Sequence, residues 1–462
     1  MANFGALSSL GLGSSGALNY DILDKLRKVD EETQAKPLEK QLDGLKKREA
    51  ELGKIITMTA SLKSALFELS DPVLFAKRDV KVTGDGIDVS VEDGTAAQQI
   101  DVVVKNLAKA DIKQSKGFAN ENAVVTTKDT DMSVTIDGQT TTFTVAAGTT
   151  LADLKDLVNE KMHGSVEASI LNTGGSEPYR LVLKSAATGA DQAMSFSFDD
   201  GDPNTADDDF LDLTKSQANV QDARDALFTF NGIDITRPSN TVDDLVVGLT
   251  LTLKKEGTDT NRISIVQDNE AIADKVQDFV DKYNELIGTL ASDTKYDPDT
   301  KQAGIFQGEG SVTSLKLAIS RLTLGTAPNG KGLADFGIDV TRDGTMTLDR
   351  SRLMEALDKQ STTVQETFAG TDAEPGVFLR LKNYLSDAAV GKDSLLSQLD
   401  DQLRSREKRL QARHDRILDA IETRYAILAK KFAAYDAIIG KMNASFQSLQ
   451  SMIDAQANAA KK

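Results

Sequence analysis

The stretch IETRYAILAKKFAAYDAIIGKMNASFQSLQSMI, residues 421–453, decides how this chain is organised. Its apolar positions are Ile421, Tyr425, Leu428, Phe432, Tyr435, Ile439, Met442, Phe446, Leu449 and Ile453. Their spacings alternate four and three, a 3.5-residue period held over about four heptads. That is the pattern of a helix that lays a seam against another helix. The same predicted helix starts at Ser394, where Leu396, Leu399 and Leu403 open the series before a polar stretch. A helix cannot bury its own seam, so the partner lies elsewhere in this chain or on another one.

The other end of the chain has helices to offer. Residues 19–35 read as a short helix that Asn19 can cap, with Ile22, Leu23, Leu26 and Val29 on one face. Pro37 either breaks it or opens the next helix at its first turn. That next helix runs over 37–70 on Leu38, Leu42, Leu45, Leu52, Ile55, Thr59, Leu62, Leu66 and Leu69, until Asp71-Pro72 stops it. Helices also fit 311–322, 351–368 and 376–388, and residues 270–290 carry a wide apolar stripe.

Between the helical ends the period falls to two. Val80/Val82, Ile87/Val89/Val91 and Ile100/Val102/Val104 are short strands, and further strand signals run to Val266. A helix over 151–161 interrupts them. Two segments echo each other: Ile136-Asp137-Gly138 and Phe230-Asn231-Gly232 each lead to a strand and a candidate cap, Thr149 or Asn240. The expected division is therefore nested. It comprises a flexible or helical segment 1–40, a bundle helix 41–75, an inner β-rich lobe of 76–118 with 224–268, an outer lobe 119–223, a helical bundle 269–400 and a coiled coil 401–462.

The composition removes several classes of function. The 462 residues include no Cys, no Trp and two His, His163 and His414. Disulfides, thiolate metal sites and a Cys nucleophile are excluded, and no His-rich metal site can form within one chain. The net charge of −17 argues against nucleic acid as a main partner. No segment is apolar for the ~18–20 residues of a membrane span, and the start lacks the pattern of a cleaved secretory signal. Residues 119–223 hold 6 Lys/Arg and 18 Asp/Glu, whereas 401–431 hold 9 basic and 5 acidic residues. The acidic middle and the basic helix are distinct physical regions.

Motifs for chemistry are weak. Gly11-Leu12-Gly13-Ser14-Ser15-Gly16 matches a dinucleotide fingerprint but has no strand before it. Asp200, Asp202 and Asn204 stand at the first positions of a calcium loop, but Thr205 and Leu211 replace the glycine and glutamate it needs. No nucleophile, base and orienting group occur together, so no catalytic residue, cofactor or metal is expected. The run Arg404, Arg406, Lys408, Arg409 and Arg413 is a solvated helix face or a contact for an acidic surface.

Several blocks resemble one family. They are LGLGSSG at 10–16 with YDILDKL at 20–26, Pro37-Leu38 before the leucine helix, FTFNGIDITRPSNTVDDLVVGLTLTL at 228–253, FVDKYN at 279–284 and YDP at 296–298. In this order they resemble the flagellar filament-capping proteins, also called hook-associated protein type two. Ser15, inserted in the usual Gly-Ser-Gly, is a departure. The resemblance implies an α+β fold, with helical terminal legs (coiled coil and helical bundle) enclosing two inserted β-rich head lobes. It implies a structural cap at the tip of a bacterial flagellum that promotes folding and insertion of exported flagellin, with no covalent chemistry. The implied partners are further copies of the chain in a homo-oligomeric ring, flagellin, hook-associated junction proteins, and the flagellar type III export apparatus with a cytosolic chaperone. No membrane insertion is implied, and the location is extracellular. The heptad residues, with Ile22, Leu23 and Leu26, would form the oligomer or filament interface. The alternative is a surface adhesin that binds host mucin or glycan through the β-rich lobes.

Overall fold

The computed structural model describes residues 20–202, 208–299, 301–371, 373–390 and 393–459. The Gly11–Gly16 motif lies outside them. The chain forms two compact units, one interrupted after Asp71 and resumed at Glu270, the other spanning Pro72–Asn269.

The first unit is helical. Its elements are α1 (Tyr20–Asp30), a π turn (Glu31–Ala35), α2 (Lys36–Leu69), α3 (Asn269–Thr294), α4 (Gly310–Thr323), α5 (Arg350–Phe368), α6 (Val377–Leu385) and α7 (Leu395–Ala459). Pro37 does not break the helix. It sits in the first turn of α2, where its missing N–H has no intrahelical partner to lose. The 3-4 spacing of α2 turns Leu52, Ile55, Leu62 and Leu66 fully inward. They join a core in which Phe378 stacks against Phe368 at 4.6 Å and Phe279 at 4.8 Å between ring centroids. Burying each such side chain contributes roughly 1.5–3 kcal/mol, as an upper estimate. A small hairpin completes the unit, with Ile338–Val340 paired to Met346–Leu348.

The second unit is all strands apart from short turns, the one-turn helix Val73–Ala76 and one longer helix. Its strands are β1 (Arg78–Thr83), β2 (Ile87–Val91), β3 (Gln98–Asn106), β4 (Ile112–Gln114), β5 (Thr130–Ile136), β6 (Gln139–Val145), β7 (Val166–Asn172), β8 (Tyr179–Ser185), β9 (Ser195–Asp199), β10 (Asn219–Gln221), β11 (Ala226–Phe230), β12 (Ile233–Arg237), β13 (Thr241–Val242), β14 (Leu249–Leu253) and β15 (Asn261–Gln267). Sheets of order β1-β15-β3-β11-β12 and β13-β14-β2 enclose one core, built on Ile100, Val102, Phe228 and Ile263. Sheets of order β10-β4-β8-β7 and β6-β5-β9, with the helix Leu151–Lys161, enclose another on Met132, Leu154, Leu181 and Leu211.

The chain crosses between these cores at one antiparallel bridge. Lys109 donates its N–H to Arg224 O at 2.8 Å, and Arg224 returns one to Lys109 O at 3.2 Å. The expected change of lobe at residue 118 therefore moves upstream, because β4 is hydrogen-bonded to β8 and Phe118 belongs to the outer core. Three residues of strand carry too little alternation to be seen in sequence.

The echo holds at its turns and fails at its caps. Asp137-Gly138 and Asn231-Gly232 all have positive φ, as two-residue hairpin turns require. The cap of the following helix is Thr150, whose hydroxyl accepts from Asp153 N, and not Thr149, whose hydroxyl turns to Ala146 O. Asn240 caps no helix. Its amide accepts from Ala108 N at 2.7 Å and donates to Ala108 O at 2.9 Å, and the chain continues as β13.

This topology predicts a clean excision. A full chain lacking residues 110–223, with Lys109 joined to Arg224 through a short Gly/Ser bridge, keeps the inner core and should melt cooperatively. Loss of a cooperative calorimetric transition for the remainder would show that the two cores are one.

Candidate functional site

The residues expected to meet partners lie along α7 and α1, so the site is built from the packing of those helices. α7 runs antiparallel to the N-terminal helices. Its start faces the middle of α2, His414 lies near Glu39, and Tyr425 reaches Asp30.

At the start of α7, Leu396, Leu399 and Leu403 are buried in the bundle core. This corrects the expectation that they form part of an intermolecular interface: the chain's own helices cover them, chiefly because α2 offers a complementary 3-4 stripe. Leu23, Ile421 and Tyr425 are likewise buried, in a small cluster with Ala429, and Leu428 and Phe432 pack partly against it. They too are satisfied within the chain.

Beyond Phe432 the seam is open. Tyr435, Met442, Phe446, Leu449 and Ile453 are exposed, Phe446 by 72%, and Ile439 is half-buried. Ile22 and Leu26 of α1 are exposed as well. Ile438 and Met452, which the heptad series omits, are also exposed and widen the apolar face. They sit one step off the strict 3.5 period, so a search for that period passes over them.

The middle of the pair is polar, which apolar spacing could not reveal. Burial, then the carboxylates of Glu407 and Asp400 on α7, push Glu49 above its ordinary value. One of its carboxylate oxygens is buried without a hydrogen bond among the described residues. Arg48 pairs with Glu309 at 3.2 Å and lies over the Phe306 ring. His414 is buried, with Nε2 4.0 Å from Glu39 and Nδ1 3.4 Å from Asp415. Asp30 Oδ2 accepts from Tyr425 Oη at 2.9 Å and from Arg424 at 3.2 Å. In the basic run Arg404 pairs with Asp400 on its own helix, while Arg406, Arg409 and Arg413 are exposed.

The other sequence candidates stand apart. His163 is exposed in a turn after the helix Leu151–Lys161. Asp200 pairs with Lys128, and Asn204 and Thr205 lie outside the described residues. Among the described residues no group of acidic or His side chains is placed to hold a metal. No helix of the described residues is long and apolar enough to cross a membrane.

Comparison with known proteins adds the following. Residues 15–111 match the family model described as flagellar hook-associated protein 2 N-terminus, and residues 223–444 match that of its C-terminus. The interval between the two matches lies in the outer lobe, and the second match ends before Phe446. A flagellar hook-associated protein 2 of Helicobacter pylori strain J99 is 25% identical over 98% of this chain and 99% of its own length. That of Campylobacter jejuni is 33% identical over 79% of this chain and 64% of its own length. The crystal structure of domains D1 to D3 of the flagellar cap protein of Escherichia coli superimposes with a TM-score of 0.55. It is 23% identical and covers 77% of this chain and 99% of its own, a likeness of fold.

The geometry separates two kinds of leucine-series residue. Leu403→Ala opens a cavity in the bundle and should cost about 2–5 kcal/mol in denaturant unfolding. Phe446→Ala should stay within about 0.5 kcal/mol of the parent chain. A second expectation concerns pH. A carboxyl raised in the folded state binds a proton more readily there than when unfolded, so its ionised form costs stability at neutral pH. That cost disappears as the pH falls through the raised value toward the ordinary 4.5. Glu49→Gln should therefore raise the Tm at pH 7 and lose this advantage near pH 4, read from melts across that range.

Proposed function

The chain belongs to the flagellar hook-associated protein 2 family, the caps of flagellar filaments, and we propose that the open end of its terminal helix pair is what grips the filament. The family is structural; its members work with flagellin and form oligomers at the flagellum tip. The observation that carries the proposal is the apolar face from Tyr435 to Ile453, which the described residues leave exposed. Burying each Leu or Phe there against a partner contributes roughly 1.5–3 kcal/mol, available only in an assembly.

The rest of the reading follows from that face. Copies of the chain associate in a ring, with the bundle and the buried half of α7 as rigid supports. The exposed halves of α7, together with Ile22 and Leu26, meet flagellin or neighbouring copies. Incoming flagellin folds beneath the β-rich lobes and is inserted, and hook-associated junction proteins lie at the start of the same filament. The chain reaches the tip through the flagellar type III apparatus, delivered by a cytosolic chaperone; the lack of Cys spares it oxidative cross-links on the way. The adhesin alternative finds no support in the relatives, whose names are those of hook-associated and cap proteins.

The test is a double variant, Met442→Asp with Phe446→Asp, in cells that lack the parent protein. The purified variant should melt as the parent does, whereas cells that make it should shed unpolymerised flagellin and fail to swim in soft agar. Normal swimming would remove this face from the capping mechanism.

A further inference from the structure

The face that α2 buries continues backward at 3-4 spacing through Leu45, Leu42, Leu38 and Ala35. Carried one step further as plain α-helix, it would present Glu31, Lys28 and Asp24 to α7. The structure presents the residues one place earlier. Leu23 is buried in the cluster with Ile421 and Tyr425, and Asp30 reaches Tyr425 and Arg424. One extra residue therefore lies between Asp30 and Ala35.

The π turn Glu31–Ala35 absorbs it. Lys36 N–H donates to Glu31 O, five residues back, where an α-helix would use four. Two side chains brace the turn. Thr33 Oγ1 donates to Val29 O at 2.8 Å, and Gln34 Nε2 donates to Asp30 Oδ1 at 3.3 Å. Both carboxylate oxygens of Asp30 are thus engaged, Oδ1 by its own turn and Oδ2 by the opposing helix.

An apolar heptad seam tolerates a slip of one heptad, because one apolar residue replaces another. A buried or half-buried polar contact does not, since a slip leaves its donors and acceptors unpaired. Across α1 and α7 the apolar contact is small, a single cluster around Leu23. We propose that Asp30 is the residue that sets the register of the terminal helix pair, and that the π turn behind it keeps Asp30 and Leu23 on the face that meets α7. This goes beyond the capping role: it fixes which part of α7 is covered by α1 and which part stays open.

The chain has no Cys, so introduced pairs report without background. In the full-length protein, Leu23→Cys is combined in turn with Ile421→Cys, Ala429→Cys and Phe432→Cys, and the rate of disulfide formation is measured. One pair should form about tenfold faster than the others, the scale of one charge-assisted hydrogen bond. Asp30→Ala should reduce that preference to about twofold. Asp30→Asn should restore most of it, because the amide oxygen still accepts from Tyr425 and Arg424. The combination Tyr425→Phe with Arg424→Met removes the donors with little change of shape and should act as Asp30→Ala does. Deleting Thr33 removes the extra residue and leaves both Leu23 and Asp30 on the contact face of an uninterrupted α-helix. That variant should keep the parent preference. An unchanged preference in Asp30→Ala, or in the Tyr425/Arg424 variant should the former not fold, would overturn the assignment. So would loss of the preference in the Thr33 deletion with helix content, by circular dichroism, intact. None of these outcomes depends on filament growth, so the inference stands or falls apart from the capping reading.

Discussion

The helical unit depends on the antiparallel pairing of α2 with α7, which brings together segments more than three hundred residues apart in sequence. Each presents a stripe that water would otherwise wet, and each supplies what the other lacks. The entropy of closing so long a loop grows only with the logarithm of its length, so the inserted β-rich unit adds little to the cost of closure. It also folds around cores of its own. Removing the α2 stripe would leave α6 with an uncovered apolar side, because α6 packs against α2.

The pair changes character along its length, and each part has a different physical role. At the start of α7, Leu396, Leu399 and Leu403 supply burial and hence stability. Through the middle, Glu49, His414 and Asp30 bring polar groups to the seam, where stability is lower and geometry is more exacting. At the far end the apolar face is open. A helix built this way is buried at one end, bonded through polar groups in the middle and exposed at the other. That gradient suits a cap, which must hold its own shape while exchanging contacts with the subunits it admits.

The β-rich unit repeats the nested design on a smaller scale. The chain leaves the inner core and returns to it at one bridge, Lys109 to Arg224, and most of the segment between them closes on a separate core, with Thr188 and Ala190 bonded back to Pro238 O and Asp225. The acidic surplus of the protein is concentrated in that outer lobe. Charges there repel one another, but on a solvated lobe ions screen them over about 8 Å at physiological salt. Such a lobe can vary in charge without disturbing the core that carries it.

Period and punctuation were enough to read the element types from sequence. The helices over 37–70 and 151–161, the hairpin turns at Asp137-Gly138 and Asn231-Gly232, and the long C-terminal helix all follow from local rules that act within a few residues. The family resemblance was legible in the same way, in blocks that need no three-dimensional knowledge. The sequence could not say which part of the heptad series the chain would cover itself. Leu403 and Leu449 look alike in sequence, and only the presence of α2 beside one makes it core and the other surface. Nor could it find Asp30 with Tyr425 and Arg424, since hydrogen bonds between residues 394 and 395 positions apart leave no periodic trace. Local patterns record what a segment would form; tertiary packing alone decides which of its faces remains available.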